Sequence, residues 1–184
     1  MRPDTSVDAR AESAVDDEHR AADAAAPTSA QDDVLRVAQI DWDSARSLLA
    51  AHGLTLEHIG DREAIPGSYW GEPEAGVVAN TVYARGDTPV HSLLHEACHL
   101  IVAAPERRAQ IHTDASDSQA EEDATCYLQI LLAERLPGVG SARLCTDMDR
   151  WGYTFRLGSA QAWFERDADD ARVWLMQRGL LPDV

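Results

Sequence analysis

Three residues within one short stretch, His95, Glu96 and His99, have the types and spacing to hold a metal ion and to do acid–base chemistry beside it. Residues four apart on a helix project from the same face, so the His95 and His99 rings come within reach of one tetrahedral ion. Glu96 lies on the adjoining edge, placed as a general base, so an H-E-x-x-H pattern gathers two ligands and a base in one helical turn. Their setting sharpens the reading. Residues 90–104, VHSLLHEACHLIVAA, are apolar apart from His91, Ser92, His95, Glu96 and His99. A helix apolar on all sides is buried, and there a carboxylate and two imidazoles cost on the order of several kcal/mol unless something pairs with them. A zinc ion accounts for all three. The plainer arrangement of the same residues is two core histidines and a Glu paired with an Arg.

A third protein ligand is needed, and the next helical stretch, AEEDATCYLQILLAERLP, begins with two carboxylates. Its core face is traced through Ala124, Leu128 and Leu131, and Glu121 falls on that line one turn before Ala124 and Thr125. Glu122 is rotated toward Gln129 and reads as more solvated. Glu121 is therefore the expected third ligand, with Glu122 as its alternative. An acidic first turn that complements the helix dipole would use the same residues.

The pairing of HEACH with a later E-x-x-A-T-x-Y-L-x-x-L-L resembles the compact glutamate zincins, and in particular the ImmA/IrrE-type metallopeptidases, over residues 88–136. The resemblance implies a zincin-like core, with His95, His99 and Glu121 as zinc ligands and Glu96 as the catalytic base. It also implies that a strand over 77–83 borders a substrate cleft. Thr125, Leu128 and Glu134 depart from the family pattern, which has Asn, Ala and Pro there; residues 1–75 and 137–184 carry no resemblance.

Three protein ligands leave the fourth position to water, whose pKa zinc lowers toward ~7, and Glu96 can accept its proton and pass it to a leaving amine. A donor for the developing oxyanion is also required, and His112, Tyr83 and Tyr153 are the candidates. His91, four residues before His95, shares its face approximately but lies in the first turn, where exposure is easiest. Thr125 is placed to hydrogen-bond the Glu121 carboxylate.

These residues depend on the elements that carry them. Thr88 and Pro89 form a helix start ahead of the 90–104 run, and residues 105–118 read as a polar loop. A second amphipathic helix spans 119–136, stopped by Pro137 and Gly138, and further helices fall within 140–151, 159–166 and 168–178. Upstream, 34–54 reads as one helix or as two divided near Asp41. The Gly- and Pro-containing stretch 60–76 is a loop, and GVVANTVYA, 76–84, is the strand candidate. Trp70, Trp151, Trp163 and Trp174, with Phe155 and Phe164, read as core. Residues 1–33 hold nine acids, three Arg and almost no large apolar side chain. That composition cannot offset its ordering entropy and predicts a disordered acidic, Ala-rich tail, which could also cover the cleft.

The chain of 184 residues has 32 acids against 16 basic residues, all of them Arg, for a formal charge of −16. So acidic a chain repels phosphate backbones and anionic lipid, which argues against nucleic acid and membrane partners. No apolar run reaches the ~20 residues of a bilayer span, and the N-terminus has no secretory apolar stretch, so a cytoplasmic location is expected. Cys98, Cys126 and Cys145 are odd in number and read as buried thiols. The fold class expected is α+β and helix-dominated. A single zincin-like metallohydrolase domain over 34–184 has the H-E-x-x-H helix packed on a second ligand-bearing helix beside a small β-sheet. The function expected is a zinc metallopeptidase or amide hydrolase acting on a peptide or protein substrate; the alternative is a non-catalytic metal-binding regulatory or interaction module. The oligomeric state is left open.

Overall fold

The computed structural model describes residues 33–69, 71, 73–113 and 118–182. The expected tail over 1–33 lies outside them except for Asp33, and so does Trp70. Among the described residues the chain is α+β and helix-dominated, with seven helices and one three-stranded sheet.

The chain enters through a 3-10 turn at Val37–Gln39 and then α1 (Trp42–Ala50). Asp41 divides the two, because its carboxylate caps α1 by accepting from Ser44 N at 2.9 Å. Strand β1 (Thr55–His58) follows, with only Leu56 turned inward. A single buried position leaves no alternating pattern to read, which is why the sequence reading passed over this strand. The expected strand at 76–84 is a hairpin, β2 (Gly76–Val78) and β3 (Thr81–Ala84), folded over Ala79 and Asn80. The sheet order is β1-β3-β2. β1 runs parallel to β3, with Leu56 opposite Val82, and β2 runs antiparallel, with Val77 opposite Val82. Gly76 is required where it stands, since a Cβ there would collide with the Pro66 carbonyl of the preceding loop.

Helix α2 (Val90–Val102) is the hub. It packs on β2 and β3 on one side and on α4 and α5 on the other. Every residue from Val90 to Val102 except His95 is buried, and Leu93, Leu94 and Leu100 are fully so. Each such side chain contributes roughly 1.5–3 kcal/mol of burial. Pro89 sits at the N-cap, one position earlier than expected; the Thr88 hydroxyl instead accepts from Arg85 N. The segment 105–118 is not all loop, because Pro105 starts a short helix, α3 (Pro105–Arg108).

Helix α4 (Gln119–Ala133), capped by Ser118, lies along α2 and against α7. It ends three residues before the expected Leu136. Gly140 N closes the turn on Ala133 O, and the Glu134 carboxylate accepts from Ser141 N at 2.8 Å. α5 (Ser141–Trp151), α6 (Ala160–Arg166) and α7 (Asp169–Gln177) complete the chain close to their expected spans. One hydrophobic core runs from Val37 to Leu175 through these elements other than α3, with Trp163 in it and Phe155, Phe164 and Trp174 packed against it. The three cysteines are unpaired and buried. No described helix is long and apolar enough to cross a membrane.

Candidate metal centre

The site forms where α2 crosses α4. His95 and His99, one turn apart on α2, turn their Nε2 atoms toward each other at 3.0 Å. The residues of α4 that face them recur at helical intervals: Glu122, Thr125, Cys126 and Gln129. Gln129, fully buried, receives the His95 Nδ1 at 3.2 Å on its Oε1, and its amide group donates onward to Met148 Sδ. A carbonyl oxygen only accepts, so a His95 proton belongs on Nδ1, and Nε2 is the atom turned toward His99 and Glu122. Thr125, also fully buried, stands 3.4 Å from His99 Nδ1 and can set the same tautomer there.

The Glu122 carboxylate spans the two rings, with Oε1 at 3.2 Å from His95 Nε2 and Oε2 at 3.6 Å from His99 Nε2. The Glu121 carboxylate turns instead to an ion pair with Arg107 of α3. The structure thus brings His95, His99 and Glu122 together and sends Glu121 elsewhere. Glu122 is the more solvated of the two, as expected, its side chain 34% exposed against 9% for Glu121, yet it is the carboxylate that meets the histidines. Gln129 is buried because α4 is covered by α2 and α7 over most of its circumference.

Two imidazole nitrogens facing each other at 3.0 Å need a proton or a cation between them. For four ligands at 2.0–2.1 Å from zinc, the ligand-to-ligand separation is about 3.3–3.4 Å. The two ring nitrogens are 3.0 Å apart, and each has one Glu122 oxygen near that value, Oε1 at 3.2 Å from His95 and Oε2 at 3.6 Å from His99. The donor set of two imidazoles and a carboxylate fits zinc in its chemistry as well.

Glu96 is buried at 8% exposure, and a carboxylate oxygen lies within 4.8 Å of ligand nitrogens of both histidines. Tyr153 comes in from the far side. Gly152, at φ 110°, ends α5 in the left-handed conformation, and the chain turns to set the Tyr153 ring edge-on to His95 at 5.7 Å. Burial, with Cys126, Glu74, Glu96 and Glu122 nearby, holds the Tyr153 phenol well above its ordinary pKa, so it remains a donor. Of the other oxyanion candidates, His112 is exposed, bridged to Val78 and hydrogen-bonded to the Thr113 hydroxyl. Tyr83 is a half-buried residue of β3 opposite Glu57 and Gly76.

His91 is not exposed as expected. It is 1% exposed, packed on Trp151 and Tyr153, and neither ring nitrogen has a hydrogen-bond partner. Burial lowers its pKa to about 3, so it is neutral. The sequence reading also missed Glu74. Ala75 N donates to the Ser92 hydroxyl of α2, which pins the preceding loop to the helix, and Trp151 Nε1 donates to Glu74 Oε1 at 2.9 Å. Burial raises the Glu74 pKa, and His95 is close enough to oppose that shift. Its place in a loop between Gly71 and Gly76 gave no periodicity from which to infer it.

Three of the hollows on the described surface have volumes of about 400, 530 and 540 Å³, and none of these three is lined by His95, Glu96 or His99. The second passes the Arg107 and Glu121 pair. Comparison with protein-family models, with curated proteins and with solved structures finds no match to the chain.

Proposed function

We propose that the chain is a zinc-dependent hydrolase of peptide or amide bonds, resembling the compact zincins, with His95, His99 and Glu122 as the metal ligands. One observation carries this reading. Two imidazoles whose Nδ1 atoms meet Gln129 and Thr125 point their Nε2 atoms at one place, and a carboxylate meets them there. Glu122 takes the ligand role expected of Glu121 because Arg107 already neutralises Glu121.

A zinc ion at this place would supply an acidified water and a polarised carbonyl. The protein's part is proton handling and charge stabilisation. Glu96, beside both histidines, takes the proton of the attacking water and returns it to the departing amine. Tyr153, kept protonated by burial, donates to the oxygen on which charge develops. Gln129 and Thr125 hold the two rings in orientation. The three unpaired thiols suit a reducing compartment such as the cytoplasm.

The non-catalytic reading, a metal-bearing interaction module, is favoured by how little of the site is open: Glu96 is 8% and His99 6% exposed. Glu96→Gln separates the two. A catalyst loses about 10²–10⁴-fold in turnover on a panel of peptide and amide substrates with zinc content unchanged. Wild type that binds zinc stoichiometrically and cleaves none of the panel would leave the interaction module.

A further inference from the structure

Cys126 lies one turn after Glu122 on the face of α4 that meets the histidines, and it is buried at 6% exposure. Its sulfur is 4.0 Å from Glu122 Oε1. Ligand atoms of His95, Glu122 and Cys126 all lie within 4.8 Å of one another, and the thiol shares a hydrogen bond with the His95 ring. The metallohydrolase reading has no use for this sulfur. Cys98 and Cys145 are buried too, but neither belongs to a metal-binding group among the described residues.

Resting on the assignment of a metal to His95, His99 and Glu122, we propose that Cys126 is a fourth protein ligand, so that the resting centre is closed by a thiolate. For a tetrahedral ion with bonds near 2.3 Å to sulfur and 2.0 Å to oxygen, the sulfur-to-oxygen separation is about 3.5 Å. The observed 4.0 Å is a small side-chain adjustment away. Glu96 is the competing donor, since its carboxylate is also near both rings. Thiolate is the softer ligand and the one that zinc takes up in closed sites, whereas catalytic sites keep one position open. On binding, the Cys126 S–H bond breaks, sulfur keeps the electron pair as the new ligand bond, and the proton goes to solvent.

His99 and Cys126 are buried, while Glu122 keeps the cluster open to solvent along one edge, its side chain 34% exposed. Hydrolysis then requires an incoming carbonyl or water to displace the sulfur, and the site is latent until that happens. Replacing Cys126 by a residue that cannot coordinate leaves an open position and increases basal turnover.

The test is the absorption spectrum of the full chain loaded with Co²⁺ alone. A thiolate ligand gives an intense near-ultraviolet charge-transfer band, while tetrahedral Co²⁺ on nitrogen and oxygen gives only visible d–d bands. The band is expected in wild type and in C98A and C145A, and it disappears in C126A with the visible bands kept. Visible bands without the near-ultraviolet band in wild type overturn the proposal and leave the metal site standing. A band that survives in C126A also overturns it. Failure of Co²⁺ to bind at all overturns the metal site and the proposal together. Should C126A not fold, sulfur in the X-ray absorption spectrum of the zinc-loaded wild type, kept in C98A and C145A, supports the assignment, and its absence refutes it.

Discussion

Glu122 Oε1 lies 3.2 Å from His95 Nε2, so the α4 carboxylate and the α2 imidazole meet across the most extensively packed helix pair among the described residues. The same contact explains the electrostatics of the histidine pair. Burial opposes charge on His95, but its hydrogen bonds with Cys126 and Glu122 outweigh that and hold its ring well above the ordinary histidine range. His99, pushed down first by burial and then by its charged neighbour, falls to about 3.

Gln129 orients the pair. Gln129→Leu keeps the volume of the buried side chain but removes the acceptor at His95 Nδ1, so the ring loses its preferred tautomer. Zinc affinity is expected to fall by roughly 10–100-fold with the fold retained. Competition with a chromophoric chelator measures this, and an unchanged affinity would mean that Gln129 is core packing and no more.

His91 should make the protein acid-labile. Its folded pKa of about 3 lies below the ordinary 6.5, so between those values the unfolded chain binds the proton and the folded one does not. Stability from this residue is complete above pH 6.5 and is lost as pH falls toward 3, on the order of a few kcal/mol in all. Denaturant melts of wild type and His91→Leu, both with metal removed, should diverge through that window, with the variant less sensitive. Parallel curves would show that the ring is already charged or solvated in the folded protein.

Arg107 anchors Glu121, whose side chain is 9% exposed. Arg107→Ala strips a nearly buried carboxylate of its partner, and a loss of about 1–3 kcal/mol is expected, the lower part of the range being favoured by the partial exposure of Arg107. Arg107→Ala combined with Glu121→Gln should recover part of it. If thermal denaturation shows no loss in the single variant, the pair does not hold α3 to α4.

The α2 half of the site was legible in the sequence because four-residue spacing fixes which side chains share a face, whatever the helix packs against. The α4 half was not. Neighbouring glutamates point about 100° apart, and choosing between them needs the face of α4 that meets α2, not only its buried side. In α4 the buried residues run almost around the helix and include Glu121 as well as Thr125, Cys126 and Gln129, so the apolar stripe found the buried carboxylate but not the one that meets the histidines. Arg107 settles Glu121's direction from a helical turn that the polar composition of 105–118 disguised. Glu74 and Tyr153 reach the site from a loop and from beyond a helix end, and only tertiary packing brings them there. The seven-helix, three-strand outline was legible wherever an element showed a periodic apolar face, and it failed at β1, where one buried residue carries the strand.

The most direct measurement is zinc content, by elemental analysis, of the untagged chain and of its His95→Ala, His99→Ala, Glu122→Ala and Glu121→Ala variants. The geometry predicts about one equivalent in wild type, loss in the first three variants and retention in Glu121→Ala, since only three of these side chains converge. Metal lost with Glu121→Ala but kept with Glu122→Ala would contradict the assignment of Glu122. A metal-free wild type that still folds would contradict the metal centre itself.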